Sequence, residues 1–319
     1  MINLFELADI SRNMRFRGTL AVLVVIGLTA APAHAETPAT IAHAQRTDGW
    51  QLVLTDGSVV DLPEALTVAP KNALSEGADT PLLISGDGRY TFYYRKKDGL
   101  FVRRAVHGTE KVVTKHISVD SIGEQWPFIS YDGDYVVTGT SAPGLGAFVD
   151  LRTGRKPPPP EKTDAWSFHG FSPDSERLAL SRETDGPVVV FDRGLRSRLR
   201  AKTRLYPVAL AGDYRTAVAL VGKSDKYRKL RLLDLRTGRA IGGVVNVRLP
   251  GGQYIDDVDF ARDGRLVVRS RTATGVAVHE VSPKTGAVTL LREIERPDVP
   301  VWVLPDDTEY APWAKRPRK

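Results

Sequence analysis

The chain has 319 residues and a formal net charge of +7, from 45 Lys and Arg against 38 Asp and Glu. It contains no cysteine, which excludes a disulfide framework and a lipid-modified cysteine. Nucleic acid is the default partner of a basic intracellular chain, but the N-terminus carries an export signal and argues against it.

Residues 1–18 are polar and hold Arg12, Arg15 and Arg17; an apolar run from Thr19 to Ala31 follows, then Pro32-Ala-His-Ala35 before Glu36. A basic start, a short apolar stretch and a small-residue cleavage site mark residues 1–35 as a secretory signal peptide. Its apolar core is short of the roughly 20 residues that cross a bilayer as a helix. No transmembrane helix is therefore expected after cleavage, with an uncleaved anchor as the alternative; Met1 and Met14 are both candidate starts. The expected location is secreted or associated with the cell envelope.

Residues 36–47 read as a flexible leader. Trp50-Gln-Leu-Val-Leu54 and Ser58-Val-Val-Asp-Leu62 then flank Thr55-Asp-Gly57, a hairpin signature. Residues 63–79, with Pro63, Pro70 and Gly77, read as a connecting loop. Five units follow, each a set of short β-branched runs whose first turn holds an aspartate: Asp87, Asp132, Asp174, Asp213 and Asp263. A half-unit with Asp306 comes last. The steps between these aspartates are 45, 42, 39, 50 and 43 residues. Within the units, Asp150-Leu-Arg-Thr-Gly-Arg155 returns as Asp234-Leu-Arg-Thr-Gly-Arg239, with a weaker cousin, Phe191-Asp-Arg-Gly-Leu-Arg196, midway. A period in the low forties is that of a four-stranded blade.

The expected fold is all-β: a six-bladed β-propeller over residues 48–312, with a basic tail at 313–319. The N-terminal hairpin at 50–62 pairs with the C-terminal strands and closes the ring, leaving no open edge at the seam. Five and seven blades are the alternatives, and a monomer is expected. The Pro157–Pro160 run is expected as an extended outer segment, because proline cannot donate to a central ladder.

The turns Phe171-Ser-Pro-Asp174 and Phe260-Ala-Arg-Asp-Gly-Arg265, with the D-x-x-T-G turns at Asp150 and Asp234, resemble the WD40-like PD40 repeats of TolB-type propellers. Ser175 stands where the repeat has glycine, and Arg262 where it has proline. The Trp-Asp and Gly-His pairs of true WD40 repeats are absent. The resemblance covers residues 80 to 312. It implies the propeller fold and is nearly silent on function, since such repeats serve scaffolds, receptors and enzyme accessory domains.

One feature recurs with chemical meaning. Trp126, Trp166, Tyr206, Tyr254 and Trp302 each stand at or near the start of an innermost strand, which places them around one mouth of the central channel. There they form a candidate ligand- or partner-binding ring, since aromatics offer large contact area at low entropy cost. The competing reading wedges them between blades. Asp256, Asp257 and Asp259 offer oxygens to a Ca²⁺ ion, but no loop with ligand spacing supports a metal or cofactor, and a solvated turn is the simpler reading. His169 is either a buried base or a hydrogen-bonded core histidine. No H-E-x-x-H or G-x-S-x-G occurs. The basic runs Lys223–Arg231 and Lys315–Lys319 read as solvated loop and tail. The expected function is a non-enzymatic platform for a protein or cell-envelope glycan partner. The alternative is a propeller enzyme of lactonase, lyase or hydrolase type, which would need two or more of Asp256, Asp257, His169 and Glu124 within hydrogen-bond reach in a pocket.

Overall fold

A computed structural model describes residues 38–122, 125–140, 146–158, 166–182, 186–222, 227–272, 275–295 and 301–305. The expected signal peptide, Glu124, residues 159–160 of the proline run, residues 223–226, the Asp306 turn and the basic tail lie outside the described residues.

Strands come in groups, each too short to bury its apolar face alone. β1 (Ile41–Arg46), β2 (Trp50–Leu54) and β3 (Val59–Leu62) open the chain; β4 (Leu82–Ile84), β5 (Tyr90–Tyr94), β6 (Phe101–Ala105) and β7 (Lys111–Val112) form the first complete blade. Among the described residues the second has three strands, β8 (Gln125–Ile129), β9 (Tyr135–Thr140) and β10 (Phe148–Asp150). The third holds β11 (Trp166–Phe171), β12 (Arg177–Arg182), β13 (Val188–Asp192) and β14 (Ser197–Ala201). The fourth has β15 (Pro207–Leu210), β16 (Thr216–Val221), β17 (Lys229–Asp234) and β18 (Arg239–Asn246). The fifth has β19 (Ile255–Phe260), β20 (Leu266–Arg271), β21 (Gly275–Val281) and β22 (Val288–Glu295), and β23 (Val301–Val303) is the last strand described. Neighbours pair antiparallel in simple meanders, and six such sheets stand in a ring as a six-bladed β-propeller. Among the described residues no helix is long and apolar enough to cross a membrane.

The seam differs from expectation. The sixth blade runs β23-β1-β2-β3, so the strand that meets the C-terminal one is β1, not the 50–62 hairpin. Ala44, Gln45 and Arg46 pair with Val303, Trp302 and Val301 on one side, and with Leu52, Gln51 and Trp50 on the other. Residues 41–46 are therefore not a flexible leader but a central strand of the closing blade. Burial explains why: Ile41 and Ala44 are buried in the largest core cluster beside Trp50 and Leu52, and both ladders of β1 are filled. Residues 63–79 fold over this core as a loop, with the Leu66 carbonyl accepting from the Trp50 indole N–H at 3.1 Å.

The first turn of the five blades in which it is described repeats one hydrogen-bond scheme. The aspartate Oδ1 accepts a backbone N–H two residues on, at Asp87, Asp132, Asp174, Asp213 and Asp263. Where a serine precedes it (Ser85, Ser130, Ser172), the hydroxyl donates to that carboxylate and accepts the N–H that opens the next strand. The same turns stitch neighbouring blades. Asp87 N–H reaches the Tyr131 carbonyl at 3.2 Å, Asp132 N–H reaches Ser175 Oγ at 3.0 Å, and the Tyr214 hydroxyl donates to Asp174. Ser175 and Tyr214 occupy the glycine position of the turn with φ of 66° and 57°. Left-handed backbone is costly for such residues, and each instead contributes a side chain that bridges to the preceding blade.

The D-x-x-T-G turns do the same by shape. Asp150 and Asp234 each accept the N–H two residues on. A Cβ on Gly238 would stand 2.0 Å from the carbonyl oxygen of Lys202 in the previous blade, so only glycine lets the two backbones approach.

Candidate functional site

The inner strands run the same way around the ring, so their starts mark one face and the aspartate turns the other. Tyr206 immediately precedes β15 and Tyr254 immediately precedes β19, and these two strands lie side by side. Tyr206 is 42% exposed and Tyr254 38%. Both rings are braced from the protein side. Tyr206 meets His169 edge-on at 4.4 Å; the Arg228 guanidinium lies 5.1 Å from the centre of the Tyr254 ring and donates to the Gln253 carbonyl. Trp126, on β8, is partly buried. Trp166 is different: it is 7% exposed and packs at right angles against Phe191 in a core cluster shared by the second and third blades. That is the wedge reading for this one position. Trp302 lies on β23 opposite Gln45, and its side chain lies outside the described residues.

His169 is a core histidine. A bulge in β11 between Phe168 and Gly170 turns it inward, and it is 2% exposed. Its Nδ1 stands 2.8 Å from the Pro207 carbonyl, which only accepts, so Nδ1 carries the proton and Nε2 accepts from the Ser181 hydroxyl at 2.8 Å. Burial pushes its pKa down to about 4, with the Pro207 bond a partial offset. The imidazole thus ties the third blade to the fourth directly beneath Tyr206.

Two of the three acidic residues of β19 are separately matched by arginines. Asp257 is buried and ion-paired with Arg269, which also donates to the Pro305 carbonyl. Asp256, on the exposed side, pairs with Arg271 at 3.2 Å. Asp259 accepts the backbone N–H of Phe260 at 2.8 Å. A bulge in β19 is the reason: Asp256 is the extra residue between Ile255 and Asp257, exposed beside its buried neighbour. Among the described residues no group of three or more His, Asp or Glu comes together in a metal-holding arrangement. His169 belongs to the third blade and the aspartates to the fifth, so these candidates do not converge.

A buried arginine escaped the sequence reading. Arg193, in the last turn of the third blade, is 8% exposed and reaches into the second. Its guanidinium donates to Asp150 Oδ1 at 3.0 Å, the Asp134 carbonyl at 2.9 Å, and Asp132 Oδ2 and the Ser175 carbonyl at 3.3 Å. The signal was its place in the weaker cousin: the residue after the aspartate is leucine in both exact copies, Leu151 and Leu235, and that position points inward.

No protein-family model matches the chain, and no curated protein does. Solved structures do. TolB from Acinetobacter baumannii aligns at 16% identity with a TM-score of 0.50, over 83% of this chain and 66% of that one, so the chain spans just under two thirds of that protein's length. The putative TolB from Agrobacterium tumefaciens aligns at 15% identity, TM-score 0.45, over 81% of this chain and 91% of that one. Virginiamycin B lyase from Staphylococcus aureus aligns at 15% identity, TM-score 0.44, over 77% and 76%. At such identities the likeness is one of fold. Six meander sheets in a ring, the aspartate turn in five of the units and the backbone likeness to TolB together make this chain a six-bladed β-propeller of TolB-type fold.

Proposed function

We propose that the protein is a non-enzymatic binding platform, exported to the cell envelope or beyond it, that holds a protein or glycan partner on the face where the inner strands begin. The observation that carries this reading is the pair Tyr206 and Tyr254, exposed at equivalent positions on adjacent blades. Each ring is fixed by a neighbour, His169 or Arg228, so little side-chain freedom is lost when a partner stacks on it. Trp126 extends the same face. The acid–base candidates favour binding over chemistry, because Asp256 and Asp257 are ion-paired and His169 is neutral and enclosed.

The test is capture from envelope extracts with the wild-type protein beside a Tyr206→Ala/Tyr254→Ala variant of unchanged melting temperature. A discrete partner lost with the variant supports the platform; equal capture by both contradicts it. Export rests on the sequence of residues 1–35. Mass spectrometry of the protein from its producing cell is expected to find Glu36 at the N-terminus, and a retained leader would contradict that.

A further inference from the structure

The organising repeat, Asp150 to Arg155, lines a cleft on the opposite face, at the border of the second and third blades. Its volume is about 660 Å³, within the range of small-molecule sites, roughly 300–1,000 Å³. Arg152, Arg155 and Lys156 line it from the second blade, and Arg177, Arg193 and Arg196 from the third.

Three carboxylates share the cleft, and each is already engaged. Asp150 is paired with Arg193 at 3.0 Å, Asp192 with Arg198 at 2.5 Å, and Glu176 with Arg152 at 3.4 Å. Arg155 and Arg196, exposed on opposite walls, have no carboxylate partner among the described residues. Among the described residues Lys156 reaches the Thr114 hydroxyl, at 3.3 Å. Arg193 is held by the Asp150 pair and its carbonyls, with its Nε buried and without a partner among the described residues. Among the described residues the cleft therefore carries more cations than carboxylates, and most of the cations are planar, fork-shaped guanidinium groups. Guanidinium groups match phosphate oxygens two at a time, as a single ammonium cannot.

We propose that this cleft binds phosphate groups, with Arg155 and Arg196 closing on the anion from the two blades. Its size admits a phosphorylated small molecule or one phosphate-bearing unit of a polymer.

The repeat supplies the control. At the second copy, Asp234 is engaged bidentately by Arg215 at 2.8 Å, and Arg236 and Arg239 are exposed and lie outside this cleft. Calorimetric titration of the protein with pyrophosphate at low ionic strength is expected to show saturable binding. Arg155→Ala/Arg196→Ala, with melting unchanged because both side chains are exposed, is expected to weaken it by about tenfold or more. Arg236→Ala/Arg239→Ala removes the same charge and is expected to stay within about twofold of wild type on the same scale. No saturable binding, or equal losses in both variants, would overturn the proposal. A parallel titration with long-chain polyphosphate separates the sources: tighter binding at equal phosphate concentration indicates a polymer, equal binding a small molecule, and either one, lost with the Arg155 and Arg196 variant, supports the site.

Discussion

Arg193 and Asp150 stand on neighbouring blades, with guanidinium and carboxylate 3.0 Å apart and their side chains 7% and 9% exposed. Burial pushes the Asp150 carboxyl up, but the bonds from Arg193 and from the N–H groups of Arg152 and Thr153 outweigh it and hold the pKa below the usual carboxylate value. Asp150→Ala strips a buried cation of its main partner and is expected to cost about 3 kcal/mol. Arg193→Leu restores the residue of both exact repeats and leaves Asp150 capping its own turn, so its cost is expected to be less than half as large. Denaturant unfolding of the two variants checks the order; a costlier Arg193→Leu would contradict it.

His169 gives the fold a pH dependence of definite sign. Its pKa is about 4 when folded, against 6.5 for the free side chain. Above 6.5 both states are neutral and stability is complete; as pH falls from there to about 4, only the unfolded chain gains the proton and stability drops. The loss is at most about 3 kcal/mol, and it levels off below the folded value. His169→Gln is expected to flatten that window in a series of melting curves. An unchanged slope in the variant would assign it elsewhere.

Gly154 and Gly238 hold the same place in the two copies of the repeat, each at φ of 70°. Nothing lies within 4 Å of a Cβ built on Gly154, whereas one on Gly238 collides with the Lys202 backbone. Gly154→Ala is expected to cost only the left-handed strain, about 1 kcal/mol. Gly238→Ala adds a forced separation of the third and fourth blades and is expected to cost about 3 kcal/mol. Equal losses would show that the blades do not meet there.

Ala44 lies in the seam, between Leu52 and Val303. Proline at that point removes a ladder donor from a central strand, and Ala44→Pro is expected to lower Tm by roughly 6 °C or more. A Tm within about 2 °C of wild type would mean that β1 does not close the ring.

The blade count was legible because each unit needs one aspartate to accept the N–H groups of its first turn, and that requirement recurs at a readable period. The seam was less so. Ala42, His43, Ala44 and Gln45 are weak strand formers, and β1 is a strand because two partners from opposite ends of the chain flank it. The aromatic positions share a place in the repeat, but those described do not share an environment. Phe191 takes Trp166 into the core, while Tyr206 rests on a histidine that a bulge has turned inward. Spacing carries no information about either neighbour. The acidic run on β19 read as a candidate cation site because arginines twelve and fifteen residues away, Arg269 and Arg271, do not show as partners until the hairpin is paired.

The most direct measurement is site-specific photo-crosslinking in the producing cell, with a photoreactive phenylalanine analogue placed at Tyr206, at Tyr254, and at the exposed outer-strand residues Val59 and Ile241 as controls. The binding-platform account predicts one discrete crosslinked species from Tyr206 and Tyr254 that is absent from Val59 and Ile241. No product at the tyrosines, or the same product from all four positions, would contradict it.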